Sequence, residues 1–187
     1  APPLAAIVGR RSVPRRDHVI VVGMGQVGIR LCVQLRAQGV PVVGVERDGR
    51  APWLRLARTL GIPVVVGQGE DRQVLERLGL RRCRALAAVA SDDLDNIGVA
   101  VAAAAVAPLV AVVLRAGEHE AISETRSLLP LGVTRDVTVI AAGFVTAHLR
   151  GRRPRAMIAD SHEVYAESES GSVEPVTLST RESCGHR

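Results

Sequence analysis

The chain has 187 residues, 47% of them hydrophobic, which suits one α/β domain with a sizeable core plus a short extra segment. Aromatics make up only 2%, so that core must be built from Val, Leu, Ile and Ala, as in buried parallel strands. The net charge of +5 comes entirely from arginine, in clusters at Arg10-Arg11, Arg15-Arg16, Arg81-Arg82-Arg84 and Arg150-Arg152-Arg153-Arg155, two of which flank the folded unit without interleaved aromatics; they read as solvated surface, not as a nucleic-acid face.

Residues 1–17 read as a linker, rich in Pro and Arg. Regular alternation starts at His18, with a first strand at Val19–Val22 and a first helix at Gln26–Gln38 stopped by Gly39. A second strand, Val42–Val45, leads to a helix at about Ala51–Leu60, with Gly61 as C-cap and Pro63 behind it. The third strand, Pro63–Val66, runs into a glycine loop, Gly67-Gln68-Gly69, and a helix at about Asp71–Leu78 ended by Gly79. A fourth strand, Ala85–Ala90, precedes Ser91-Asp92-Asp93, whose side chains cap a long helix to about Val106. Then come a fifth strand (Leu109–Leu114), a helix at about Glu118–Leu128, a short sixth strand near Arg135–Val137 and an apolar helix, Thr138–Leu149. The apolar run Ile97–Leu114 is long enough to raise the question of a membrane span. Pro108 interrupts it, and its Ala-rich then Val-rich halves read as a helix feeding a buried strand.

The domain therefore covers 18–150, and 151–187 reads as a tail or partial extra segment with room for short strands at Ala156–Ala159 and Val173–Leu178. A start without Met fits a fragment of a longer chain, and the apolar Leu4–Val8 precedes its arginines, the wrong order for a secretory signal. Cys32, Cys83 and Cys184 form no C-x-x-C pair and fit reduced cytosolic thiols.

Strands alternating with helices over short connections require a doubly wound parallel sheet, here of about six strands in the order 3-2-1-4-5-6, the Rossmann arrangement. A ligand then sits beyond the carboxyl ends of strands one and four, where the winding reverses. Four segments end there: Gly23-Met24-Gly25-Gln26-Val27-Gly28, Glu46-Arg47, Gly67-Gln68, and Ser91. In the first of them Gly23 permits the tight turn, Gly25 clears the approach of a pyrophosphate, and Gly28 lets helix and strand pack closely. Phosphate charge meets the free N–H groups and positive end of the helix that follows. Glu46 is placed to accept hydrogen bonds from both ribose hydroxyls and to repel a 2′-phosphate, which favours NAD(H), ATP, ADP or AMP over NADP. Arg47 either partners a phosphate or is a solvated loop residue. Gln68 and Ser91 can line the adenine and the far wall; Ser91 competes with a capping role, and Asp92 reads as a cap. Arg115, ending strand five, is within reach of a phosphate or a second subunit.

Catalytic companions are thin. His119 stands between Glu118 and Glu120, but adjacent helical residues point in different directions and share no metal well. No catalytic residue and no metal ligand is assigned, and no room remains for a substrate domain of the kind that supplies a dehydrogenase with its acid and base.

The sequence resembles the RCK family (regulator of potassium conductance, also called the Trk-type or KTN NAD-binding domain). The resemblance covers about His18–Arg150. It rests on the run His18–Gly28, on Val45-Glu-Arg-Asp48, on the runs Gly61–Gly69 and Val74–Gly79, on Ala90–Asn96, and on a strand ending in Arg115. It implies a cytoplasmic domain at the inner face of the membrane, attached to or assembled with a potassium channel or transporter subunit, that senses a nucleotide without consuming it. It also implies pairing through the last helix into homodimers or higher rings; Val139, Ile140, Phe144, Val145 and Leu149 give that helix ample apolar surface. Gly23, Gly25, Gly28 and Glu46 match the family's nucleotide positions, whereas the family often has a basic residue at Gln26 and an Asp at Gln68. Two other readings remain open at this point: an NAD-dependent oxidoreductase fragment lacking its substrate domain, and a structural Rossmann domain that has lost its ligand.

Overall fold

Four consecutive β-branched residues, Val19–Val22, are all buried and form the central strand of a seven-stranded sheet. The strands are β1 (Ile7–Val8), β2 (Val19–Val22), β3 (Val42–Glu46), β4 (Val64–Val66), β5 (Ala85–Ala88), β6 (Ala111–Arg115) and β7 (Val133–Arg135), in the spatial order β1-β4-β3-β2-β5-β6-β7. Leaving out β1, this is the 3-2-1-4-5-6 order expected from the alternation. The pairs β2–β3, β2–β5, β3–β4 and β5–β6 are parallel, with Val19 opposite both Val42 and Ala85. The computed structural model describes residues 7–8, 13–116, 132–159 and 163–176. The expected helix at Glu118–Leu128, with His119, lies outside them.

The period-2 alternation of a strand divides the core into two layers. Ile20 and Val22 of β2 join Val43, Leu86 and Leu114 in a cluster completed by Leu75 of α3 (Arg72–Arg77) and by Val99, Ala103 and Val106 of α4 (Asp93–Val106). Val19 and Val21 join Val42 and Val64 on the other face, with Ile29 and Cys32 of α1 (Gln26–Ala37) and Leu54 and Ala57 of α2 (Trp53–Thr59). Small aliphatic side chains fill both layers, as the scarcity of aromatics required. Ile97–Leu114 is the end of one helix and a strand, as expected, and among the described residues no helix is long and apolar enough to cross a membrane.

Several boundaries differ from the sequence reading. Ile7–Val8, inside the expected linker, pairs antiparallel with Val64–Val65 and extends the sheet by one edge strand. The sixth strand is Val133–Arg135, shifted toward the N-terminus, because Asp136 turns the chain and caps the next helix by accepting from the Thr138 and Val139 N–H groups. That helix, α5 (Val137–Leu149), was expected to close the larger domain at residue 150. The chain instead divides into units at Ala1–Thr134 and Arg135–Arg187.

In the second unit α5 packs on a three-stranded antiparallel sheet, β10-β9-β8, made of β8 (Ala156–Ala159), β9 (Val164–Glu167) and β10 (Val173–Pro175). A Cβ on Gly143 would lie 2.9 Å from Val164, so the helix approaches the sheet through its small residues, Gly143 and Ala147. Its larger residues Phe144, Val145 and Leu149 stay exposed.

Candidate nucleotide-binding site

The glycine turn after β2 is built by close approach. Gly23 has φ +93°, a conformation that side-chain-bearing residues rarely adopt, and a Cβ there would sit 2.6 Å from the Ala90 nitrogen. A Cβ on Gly28 would fall 2.0 Å from the Gly23 carbonyl oxygen, so α1 can start this close to β2 only with glycine at that position. Gly25 is the opposite case: a Cβ there meets nothing within 4 Å. Its openness has no packing purpose within this chain.

Glu46 is turned toward this loop. Its Oε2 accepts the Met24 N–H at 3.0 Å and its Oε1 accepts the Asp48 N–H at 3.0 Å. The carboxylate thus ties the end of β3 to the glycine turn, and each oxygen keeps a lone pair for a further donor. Met24 contributes only its backbone. Its side chain is fully buried, and a Cβ on Gly44 would lie 2.4 Å from its sulfur. Gly44 in β3 exists to accommodate that thioether.

The helix ends differ in a way that matters for anions. α3, α4 and α5 each begin with an aspartate (Asp71, Asp92, Asp136) whose carboxylate accepts first-turn N–H groups. α1 begins at Gly25 with no side-chain cap, and no acidic residue lies in its first turn. Its orphan N–H donors and positive end therefore face the space beside Gly25.

The remaining expected residues surround this point unequally. The Gly67 N–H donates to the Glu46 carbonyl at 2.8 Å, and a Cβ on Gly69 would lie 2.3 Å from Val22, so the loop after β4 lies against the end of β2. Gln68 and Ser91 are exposed, and Asp92 alone caps α4, with Oδ1 accepting from Leu94 and Asp95. Gln26 is exposed and Val27 half-buried in the first turn of α1. Arg47 is exposed, and its guanidinium pairs with Asp95 at 3.1 Å, linking the end of β3 to the first turn of α4. Arg115 is half-buried and turns back, Nη1 donating to the Ala90 carbonyl at 3.4 Å.

Asn96, which closes the run Ala90–Asn96 but was assigned no role from sequence, is the organising residue. Fully buried, it accepts the Ala90 N–H at 2.9 Å and donates to the carbonyls of Ala90 and Arg115 at 3.0 and 2.8 Å. One amide thus joins the ends of β5 and β6 to α4. Its signal in sequence was a polar residue on the apolar side of a helix, four positions after the cap.

With this geometry in place, comparison with known proteins gives four findings. The voltage-gated potassium channel Kch of Escherichia coli (strain K12) is 29% identical over 118 residues, which are 62% of this chain and 28% of that protein. The Trk system potassium uptake protein TrkA of Streptomyces coelicolor is 36% identical over 80 residues, 43% of this chain and 35% of that protein. Among solved structures, the GsuK channel bound to NAD superposes with a TM-score of 0.62 at 20% identity, covering 86% of this chain and 29% of that one, a likeness of fold. The chain thus spans about a third or less of the length of these relatives. The family model of the TrkA-N domain matches residues 19–139, from the central strand into the first turn of α5, and the chain belongs to that family.

Proposed function

We propose that this domain binds NAD(H) or an adenine nucleotide (ATP, ADP or AMP) and thereby regulates a potassium channel or potassium uptake system. The membrane-embedded subunit of that system lies on the same polypeptide or a separate one. The observation that carries this reading is the Glu46 carboxylate clasped between the Met24 and Asp48 N–H groups beside an uncapped helix and an open Gly25. Each part suits one part of the ligand. The pyrophosphate or phosphate lies over Gly25, where only backbone meets it, and draws on the free N–H groups of Gln26, Val27 and Gly28. The ribose hydroxyls donate to Glu46. Gly67, Gln68 and Ser91 border the base, and Arg47 and Arg115 stand at the rim as charged neighbours. That the relatives belong to potassium channels and uptake systems supports the regulatory setting.

Regulation requires that the ligand prefer one of two arrangements, since equal affinity for both shifts nothing. A homodimer, or a higher ring of such pairs, supplies the two arrangements. The exposed Phe144, Val145 and Leu149 of α5 are the surface we assign to that contact. On this reading the domain works at the inner face of the membrane, beside the subunit it regulates. Isothermal titration of the chain with NAD, NADH, ATP and AMP tests the reading: at least one binds with one site per chain, and absence of heat with all four removes it.

A further inference from the structure

Just beyond Glu46 the chain forms a second feature that the nucleotide reading does not use. The segment from Gly49 into α2 encloses a half-open cavity of about 590 Å³, within the general range of small-ligand pockets. Among the described residues, its charged side chains are Arg50, Arg55 and Arg58; the rest of the wall includes Gly49, Pro52 and the buried Leu54. Among the described residues no carboxylate lines it.

Among the described residues, none of these three guanidiniums makes a hydrogen bond or ion pair. Nearby arginines are engaged: Arg47 with Asp95, and Arg36 with the Leu60 carbonyl. Arg55 and Arg58 stand three apart on one face of α2, so they gather like charges instead of separating them. The three arginines are exposed, and gathered on one concave surface they raise a local positive potential that attracts an anion. The planar fork of arginine fits phosphate oxygens two at a time. The cavity is much larger than one phosphate group needs, so several phosphate groups, or a phosphate on a larger body resting on Pro52 and Leu54, fit it best.

We propose that this cavity is a second anion site, for an oligophosphate or phosphorylated organic ligand, distinct in its residues from the crevice at Gly25. It is nonetheless connected to that crevice. The Arg50 N–H donates to Asp48 Oδ1 at 2.8 Å, and the Asp48 N–H donates to Glu46 Oε1 at 3.0 Å. An anion that fixes Arg50 therefore also steadies the loop carrying the ribose carboxylate.

The experiment is calorimetric titration of the full chain with sodium tripolyphosphate at near-physiological salt, in four forms. These are the wild type, Gly25→Val, the triple variant Arg50→Gln/Arg55→Gln/Arg58→Gln, and an equal-charge control, Arg72→Gln/Arg77→Gln/Arg81→Gln, drawn from exposed arginines outside the cavity. Circular dichroism checks that each is folded. The proposal expects binding that survives Gly25→Val and the control but weakens at least about tenfold in the cavity variant. It is overturned if tripolyphosphate does not bind, if Gly25→Val alone abolishes binding, or if the control weakens it as much as the cavity variant does. Flotation with phosphatidylcholine vesicles carrying phosphatidic acid then assigns the source. Vesicle binding lost in the cavity variant points to a lipid headgroup; tripolyphosphate binding without vesicle binding points to a soluble phosphate.

Discussion

Three glycines of one motif have three separate physical reasons, and the difference can be measured. Gly28→Ala places a methyl 2.0 Å from a backbone carbonyl, which neither neighbour can yield cheaply. It is expected to destabilise the fold by about 2 kcal/mol or more, read as a lowered urea midpoint. Gly25→Val enters open space, so the midpoint should hardly move while nucleotide affinity falls at least about tenfold. Equal loss of stability in both variants would show that Gly25 is structural.

Cys32 gives a second test at the same scale. Burial pushes its thiol from 9.0 up to about 12, with a smaller opposing pull from Arg36. The unfolded chain therefore loses this proton above about pH 9 while the folded chain keeps it. The sign follows: stability is present below pH 9 and declines as pH rises from about 9 toward 12, by roughly 1 kcal/mol per unit. Urea denaturation at pH 8 and pH 10 should show a smaller pH-dependent loss in Cys32→Ala than in the wild type. The Cys83 thiol is also raised by burial, so neither should react quickly with alkylating reagents near neutral pH.

At the scale of elements, and among the described residues, the expected strands and helices stand where hydrophobic period and glycine punctuation placed them, usually with ends shifted by one to three residues. Two of the shifts, at the starts of α3 and α5, come from capping. Asp71, Asp92 and Asp136 each sit outside the helix they cap, and a cap is half in and half out of the element. The strand Ile7–Val8 was illegible because two residues carry no period; its pairing with β4 fixes it. Asn96 was illegible for a related reason. Its role needs Ala90 and Arg115, residues on two different strands, and no local pattern reports that. Asn96→Ala would leave Ala90 N–H and two carbonyls without this partner in a buried place. It should cost about 3 kcal/mol in chemical denaturation, several times the effect of an exposed substitution on the same helix.

At the scale of the whole molecule, α5 is the surface we propose for contact with a second copy. It spends Gly143 and Ala147 on its own small sheet and leaves Phe144, at 44% exposed, stacked against His148 with centroids 6.0 Å apart. Large apolar side chains outward and small ones inward is the reverse of an ordinary surface helix. If α5 forms the dimer contact, Phe144→Glu should convert a dimer into a monomer in light scattering without lowering the stability of the first unit. An unchanged dimer would place the contact elsewhere.

The sequence alone settled the strand order of the parallel sheet, because burial period, glycine turns and short connections lead to a doubly wound arrangement. It also pointed to a candidate crevice, since a glycine run after a strand and an acid after the next strand are local signals. Folding decided what those residues touch. Glu46 meets Met24, Arg47 meets Asp95, Asn96 bridges two strands, and three arginines share one cavity. These are contacts between segments set side by side by the sheet, and a one-dimensional pattern records a residue's spacing but not its partner across space.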